Sequence, residues 1–143
     1  MKKAAVVYWS GTGNTEAMAN AVVEGVKKGG ADVELFRVDQ FGADKMDGFD
    51  GFLFGCPAMG DEVLEEDEFE PFFTEAEKKL SGVPVGLFGS YGWGDGAWME
   101  SWAERTRTAG AKLVADGVMV ENAPDDDGVK ACETLGETLA KAL

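Results

Sequence analysis

Short apolar runs alternate with amphipathic segments along the whole chain. Five runs are typical of buried or half-buried strands, at residues 4–8, 33–38, 49–56, 83–89 and, as a split fifth strand, 113–114 with 118–120. Glu34 and Arg37 interrupt the second run, which suits a strand at the edge of a sheet. The third run is almost entirely apolar and is therefore expected at the centre of the sheet.

The segments between these runs have helical spacing. Apolar residues recur on one face from Glu16 to Lys28 and again from Phe69 to Leu80. Trp98 and Trp102 share a face of the next helix, which predicts core packing, and residues 125–127 are acids that cap the last helix. This alternation predicts an α/β fold: a doubly wound, five-stranded parallel sheet with helices on both faces.

Composition favours one domain, residues 1–143, with 45% apolar residues and no run long enough to span a bilayer. The first strand follows Met1 to Lys3 directly, so we expect no signal peptide and a soluble, cytoplasmic protein. The net charge of −14 argues against binding to nucleic acid or to anionic membranes. It favours a basic protein partner, although an acidic surface also serves solubility.

The chain has no histidine, which disfavours zinc sites and catalysis of the Ser–His type. Cys56 and Cys132 are far apart and are expected to pack as small apolar residues. Any redox chemistry must therefore come from a bound cofactor. We expect no metal and no catalytic residues.

The loop after the first strand has the composition of a phosphate site. It combines hydroxyls, an amide and glycines at a strand-to-helix junction: Ser10, Gly11, Thr12, Gly13, Asn14 and Thr15. Backbone N–H groups at a helix N-terminus bind anions, and glycines let the backbone approach closely. With no Lys or Arg between Lys3 and Lys27, neutral donors would hold the phosphate. The alternative is an ordinary helix cap.

The loop after the third strand lies at the same edge of the predicted sheet, where doubly wound folds bind ligands. Its candidate residues are Pro57, Ala58, Met59, Gly60, Asp61 and Glu62. Gly60 can rotate the peptide that follows it at little steric cost, so this peptide could present either N–H or C=O to a ligand. A simple turn glycine is the alternative.

The loop after the fourth strand also belongs to this edge, with Ser90, Tyr91, Gly92, Trp93 and Gly94. Trp93 stands between two glycines, which suits a side chain that stacks on a flat heterocycle better than a core residue. Packing onto the protein surface is the alternative. Together the three loops predict a phosphate site, a switchable peptide and a stacking platform.

Four segments resemble the flavodoxins, specifically the short-chain type of anaerobic bacteria: residues 8–15, 55–62, 70–73 and 87–94. The resemblance extends over essentially the whole chain. It implies the strand order 2-1-3-4-5, non-covalent binding of FMN, and low-potential one-electron transfer between redox enzymes. It implies an electron carrier and not an enzyme.

The same resemblance implies a role for each loop. Residues 10–15 would hold the phosphate, while Met59 and Trp93 would flank the isoalloxazine ring. The Gly60–Asp61 peptide would be linked to the redox state, and Glu62 would meet the pyrimidine edge. Residues 90–94 would wrap the far side of the ring.

An acidic segment follows the second loop, with seven acids and no base in residues 61–70. These acids should disfavour a further negative charge on the cofactor and could dock basic or mixed-charge redox partners, unless they are merely solvated. We expect a monomer that binds neither nucleic acid nor membrane.

Three alternatives compete with an electron carrier. A receiver domain would need an Asp at the end of the third strand, where the chain has Cys56. A flavin enzyme would need an acid–base pair, and none stands out. A storage module for FMN stays open.

Overall fold

The computed structural model describes residues 2–60 and 62–143. Its sheet has six strands: β1 (Lys3–Tyr8), β2 (Asp32–Arg37), β3 (Gly51–Gly55), β4 (Pro84–Tyr91), β5 (Lys112–Leu113) and β6 (Val118–Glu121). The order is β2-β1-β3-β4-β5, and β6 also pairs with β4. Every pair is parallel. The predicted fold class and strand order are confirmed.

The fifth strand is split, as the two short apolar runs predict. Strand β5 pairs with Pro84 and Val85, whereas β6 pairs with the stretch from Phe88 to Tyr91. Residues 114–117 separate β5 from β6, so the sheet has six strands although only five positions were predicted. Because β6 lies beside the end of β4, the loop after β6 reaches the same edge as the three candidate loops.

Within the described residues, three α-helices lie between strands, and a fourth follows the last strand: α1 (Asn14–Lys28), α2 (Phe69–Ala76), α3 (Ala97–Thr108) and α4 (Asp126–Ala142). Short 3₁₀ helices occupy Val38–Gln40, Ala43–Gly48 and Glu77–Lys79. The Asp125 carboxylate accepts a 2.8 Å hydrogen bond from the Gly128 amide and caps α4, as predicted. None of the described helices is both long and apolar enough to cross a membrane.

Helices α1 and α4 cover one face of the sheet. Their buried apolar side chains include Met18, Val22 and Leu135. Gly25 and Gly136 allow the two helices to approach closely, because a Cβ atom on either glycine would collide with the backbone of the other helix.

Helices α2 and α3 cover the opposite face, which is rich in aromatic residues. The ring of Trp102 meets the rings of Phe69 and Phe73 edge to face, at centroid distances of 5.5 and 5.8 Å. Arg105 lies over the Phe73 ring and donates hydrogen bonds to both carboxylate oxygens of Glu70, at 2.8 and 2.7 Å. These contacts hold the two helices against each other beside the site.

Candidate functional site

The carboxyl ends of β1, β3, β4 and β6 enclose a cavity of about 240 Å³. Most of the predicted loop residues line it: Gly11, Thr12, Asn14, Pro57, Ala58, Met59, Ser90, Tyr91 and Gly92. Trp9 and Asn122 line it as well. The three candidate loops therefore converge on one site, at the edge of the sheet where doubly wound folds bind their ligands.

The loop between β1 and α1 is an open cradle of N–H donors. The Ser10 hydroxyl accepts hydrogen bonds from the amides of Gly13 and Glu16, at 3.1 and 3.3 Å. Gly13, at a φ of 96°, turns the chain into α1. Within residues 2–60 and 62–143, the backbone amides of four loop residues have no acceptor: Gly11, Thr12, Asn14 and Thr15. Such a cluster at the N-terminus of a helix suits a phosphate.

A buried pair of hydroxyls joins this loop to the end of β4. The Oγ1 of Thr15 lies 3.1 Å from the Oγ of Ser90 and accepts a 3.4 Å hydrogen bond from the Ser90 amide. The Ser90 carbonyl in turn accepts from the amide of Ala58 at 3.1 Å. Ser90 thus connects all three loops, and the hydroxyl of Thr15 has a structural partner within the protein.

The loop after β3 is a tight turn. Met59 and Val63 exchange two backbone hydrogen bonds of 2.9 Å, which close the turn to which Gly60 and Glu62 belong. Gly60 is exposed and has a φ of 49°, a conformation that other residues rarely adopt. Asp61, predicted as part of the redox-linked peptide, lies outside the described residues. Glu62, at a φ of 57°, is itself left-handed.

Glu62 also connects two of the loops. Its Oε1 accepts a 3.3 Å hydrogen bond from the amide of Gly96 and lies directly against Gly94. A Cβ atom at position 94 would collide with this carboxylate. The predicted site residue Glu62 therefore stands at the junction of the loops that follow β3 and β4.

Three of the tryptophans divide as the sequence predicts, with Trp98 and Trp102 in the core and Trp93 on the surface. Trp98 and Trp102 are 1% and 2% exposed, whereas Trp93 is 58% exposed. Gly94, at a φ of 88°, and Gly96, at a φ of 94°, shape the loop that carries it. Trp93 does not itself line the cavity, but it follows Gly92, which does, and its exposed indole is available to stack on a flat ligand.

Two cavity residues are absent from the predicted site, Trp9 and Asn122. The indole of Trp9 lies against Gly11, and its Nε1 donates a 3.1 Å hydrogen bond to Glu68. The available signal for Trp9 was its position as an aromatic residue immediately before the predicted phosphate loop. Asn122 has a φ of 59°, and its amide donates to the Tyr91 carbonyl at 2.8 Å. Nothing in the sequence places it beside β4.

The acidic segment is not uniformly solvated. Glu65 is only 7% exposed, and its carboxylate accepts hydrogen bonds from the amides of Asp67, Glu68 and Phe69, which brings the chain into α2. Hydrogen bonds from Arg105 lower the pKa of Glu70. Glu65 and Glu70 therefore have structural roles, and the cation Arg105 offsets the charge of Glu70.

The two cysteines are buried and free. Burial raises the pKa of the Cys56 thiol, and it raises the pKa of Cys132 to about 12. Both thiols stay protonated, which makes them unreactive. Among the described residues, no group of three or more His, Cys, Asp or Glu side chains is placed to hold a metal ion.

Comparison with known proteins identifies the family. The family model described as flavodoxin matches residues 6–136. The flavodoxin of Megasphaera elsdenii is 51% identical over 140 residues, which cover 96% of this chain and 98% of the relative. This chain belongs to the flavodoxin family. The flavodoxin of Clostridium beijerinckii is 47% identical over 135 residues, covering 94% of this chain and 97% of the relative.

A solved flavodoxin structure has the same fold as this chain. The solution structure of two-electron reduced Megasphaera elsdenii flavodoxin superimposes with a TM-score of 0.86 at 49% identity, covering 96% of this chain and 98% of that chain. Flavodoxins bind FMN and carry electrons, and this chain is an FMN-binding electron carrier and not an enzyme. The residues present fit that cofactor, because the start of α1 offers backbone amides without acceptors and the loop after β4 carries an exposed tryptophan.

Proposed function

We propose that residues 10–15 hold the 5′-phosphate of FMN and that Met59 and Trp93 flank its isoalloxazine ring. The observation that carries this proposal is the set of amides without acceptors at the start of α1, in a loop that lacks any cation. Backbone N–H groups and the positive end of the helix dipole can hold a phosphate without a Lys or Arg. Residues 57–62 and 90–94 complete the proposed site.

Bound FMN supplies two one-electron steps, and the chain sets their potentials. Gly60 would tune the first step. With its carbonyl turned toward the ring, it would accept a hydrogen bond from a proton on the flavin N5 atom. The left-handed conformation of Gly60 supports this proposal, since glycine changes between such backbone conformations with little strain.

The second step should occur at low potential. Within the three loops there is no Lys or Arg to stabilise an anionic ring, and Glu62 and Glu68 add negative charge nearby. The indole of Trp93, placed over the ring, would exclude water and reduce the screening of these charges. The low potential therefore follows from the absence of cations as much as from the presence of acids.

The acidic character of the chain also indicates the charge of the partners that we propose for it. With a net charge of −14, the protein should meet basic or mixed-charge redox proteins through electrostatic steering. A mobile carrier of this size would act as a monomer. Its free, protonated thiols suit the reducing cytoplasm.

Stopped-flow electron transfer tests the carrier function. The protein loaded with FMN is reduced without oxygen and mixed with a basic c-type haem protein, with an acidic haem protein of similar potential as control. We expect fast transfer to the basic acceptor, at a rate that falls as ionic strength rises. Tight FMN binding with no transfer to either acceptor would favour a storage module. A rate to the basic acceptor that is insensitive to salt would contradict only the docking proposal.

A further inference from the structure

Trp9 forms one wall of the cofactor cavity, and its indole is held from two sides. On one side it lies against the phosphate loop, where a Cβ atom on Gly11 would stand 3.0 Å from the indole Cη2. On the other side its Nε1 donates a 3.1 Å hydrogen bond to the Oε1 of Glu68. The backbone of Trp9 is fixed independently, because its amide donates to the Gly55 carbonyl at 3.0 Å. Glu68 therefore fixes the orientation of the indole and not the path of the chain.

Glu68 itself occupies a defined position. It is the residue immediately before α2, and its amide donates a 2.8 Å hydrogen bond to the buried carboxylate of Glu65. The same carboxylate oxygen accepts from the amide of Phe69 at 2.8 Å. The start of α2 is thus rigidly capped, so the carboxylate that Glu68 offers to Trp9 extends from a fixed point.

We propose that Glu68 is a positioning residue for the phosphate cradle, acting through the indole of Trp9. The hydrogen bond holds the indole against Gly11 before the cofactor arrives, so FMN binding does not have to order this side chain. Immobilising a flexible side chain on binding costs affinity, and a site ordered in advance avoids that cost. The proposal rests on the proposed function, in which residues 10–15 hold the phosphate of FMN.

A purely electrostatic role for Glu68 and a positioning role predict opposite effects of its removal on FMN affinity. If Glu68 acted only as a negative charge near a phosphate, its removal would tighten FMN binding, and more so at low salt. If Glu68 positions Trp9, loss of the acceptor weakens binding at every salt concentration. Glu68→Gln removes the charge but keeps an oxygen acceptor, whereas Glu68→Ala removes both. The pair of variants therefore separates the two effects.

Glu66 provides the matched control. It is an exposed acid in the same loop, and it forms no hydrogen bond or ion pair with any residue of the described ranges. Glu66→Ala removes the same charge from the same segment without touching Trp9. Any change it produces measures the effect of charge and of side-chain truncation alone.

The experiment titrates FMN into the apoproteins and follows the quenching of flavin fluorescence. We expect Glu68→Ala to bind roughly 3- to 10-fold more weakly than Glu68→Gln, as for the loss of one hydrogen bond. Glu66→Ala and Glu68→Gln should bind as tightly as the unchanged protein or slightly more tightly. In a Trp9→Phe background, where the indole N–H is absent, Glu68→Ala should cost nothing further.

The indole N–H resonance of Trp9 reports the contact directly in nitrogen–proton correlation spectra, and Trp9→Phe assigns it. Glu68→Ala should shift this resonance, while Glu66→Ala should leave it in place. Equal FMN affinity in Glu68→Ala, Glu68→Gln and Glu66→Ala would overturn the positioning role. Failure of the unchanged protein to bind FMN would instead overturn the proposed function.

Discussion

The hydroxyl oxygens of Thr15 and Ser90 lie 3.1 Å apart in the interior, where they join the first residues of α1 to the end of β4. The Ser90 amide also donates to the hydroxyl of Thr15. This contact connects the proposed phosphate loop to the loop that carries Trp93, although the two are 75 residues apart. This buried hydroxyl pair therefore adds a direct side-chain contact between two parts of the site that the sheet already brings together.

Replacing Thr15 by Val keeps the shape of the side chain and removes its hydroxyl. The Ser90 amide and hydroxyl would then be buried without this partner, and we expect a loss of about 1–2 kcal/mol in the free energy of unfolding. Urea unfolding of the apoprotein measures it. Thr134→Val, at an exposed position on α4, is the control and should change stability by less than about 0.5 kcal/mol. Equal stability of the two variants would contradict the structural role of the pair.

A substitution at Gly60 tests whether the peptide that follows it changes its orientation with the redox state. Gly60→Val places a β-branched residue where φ is 49°, which restricts rotation of the following peptide. We expect the first midpoint potential of bound FMN to fall by roughly 40 mV, equivalent to a hydrogen bond of about 1 kcal/mol in a one-electron step.

Gly82→Val is the matched control for Gly60→Val. Gly82 has a φ of 74° and, like Gly60, has open space where a Cβ atom would be added, but it lies in the turn before β4. Both variants should lose stability because of backbone strain, and only Gly60→Val should change the potential. Unchanged first potentials in both would exclude the switch.

A substitution at Gly11 tests the contact between the proposed phosphate loop, residues 10–15, and the indole of Trp9. A methyl group at this position would stand 3.0 Å from the Cη2 of Trp9 and push the indole away. We expect Gly11→Ala to weaken FMN binding roughly 5- to 10-fold, the equivalent of about 1 kcal/mol of overpacking or slightly more. Gly48→Ala has free space around the added methyl and should leave FMN affinity unchanged. If both variants bind FMN equally, the indole is not part of the site.

The pair formed by Arg105 and Glu70 predicts a pH dependence of stability. Hydrogen bonds from Arg105 lower the pKa of Glu70 in the folded chain. The pair therefore stabilises the fold above the ordinary carboxyl pKa, and this contribution is lost as pH falls through the lowered value.

Glu70→Gln should cost about 1–2 kcal/mol at pH 7, between the values for exposed and buried pairs. The difference from the unchanged protein should shrink in acid. Glu75→Gln, which removes only an exposed pair with Lys78, should have a small effect at pH 7. Urea unfolding between about pH 2 and pH 7, a range that extends below the ordinary carboxyl pKa, measures these differences. A deficit for Glu70→Gln that is independent of pH would contradict the electrostatic explanation.

Patterns that are local in sequence predicted the elements and much of the site. The interrupted run at residues 33–38 indicated an edge strand because an exposed edge tolerates charge. Trp98 and Trp102 follow helical spacing and are core residues, whereas Trp93 stands between glycines and is exposed.

Contacts between segments that are far apart in the sequence could not be predicted from local patterns. Asn122 reaches the cavity only because β6 pairs with the end of β4, and the two runs of the fifth strand do not reveal that register. The acidic segment, residues 61–70, contains no basic residue, and the Arg105 that pairs with Glu70 comes from α3. Glu65 resembles its neighbours in sequence, and only the turn of the backbone into α2 makes it a buried cap.

Fluorescence titration of FMN with the apoprotein tests the central claim most directly. The account predicts quenching that saturates at one FMN per chain and a yellow complex. It also predicts much weaker binding of riboflavin, which lacks the phosphate that the amides of residues 10–15 would hold. Flavin fluorescence that does not change on addition of the apoprotein, or equal affinity for FMN and riboflavin, would contradict it.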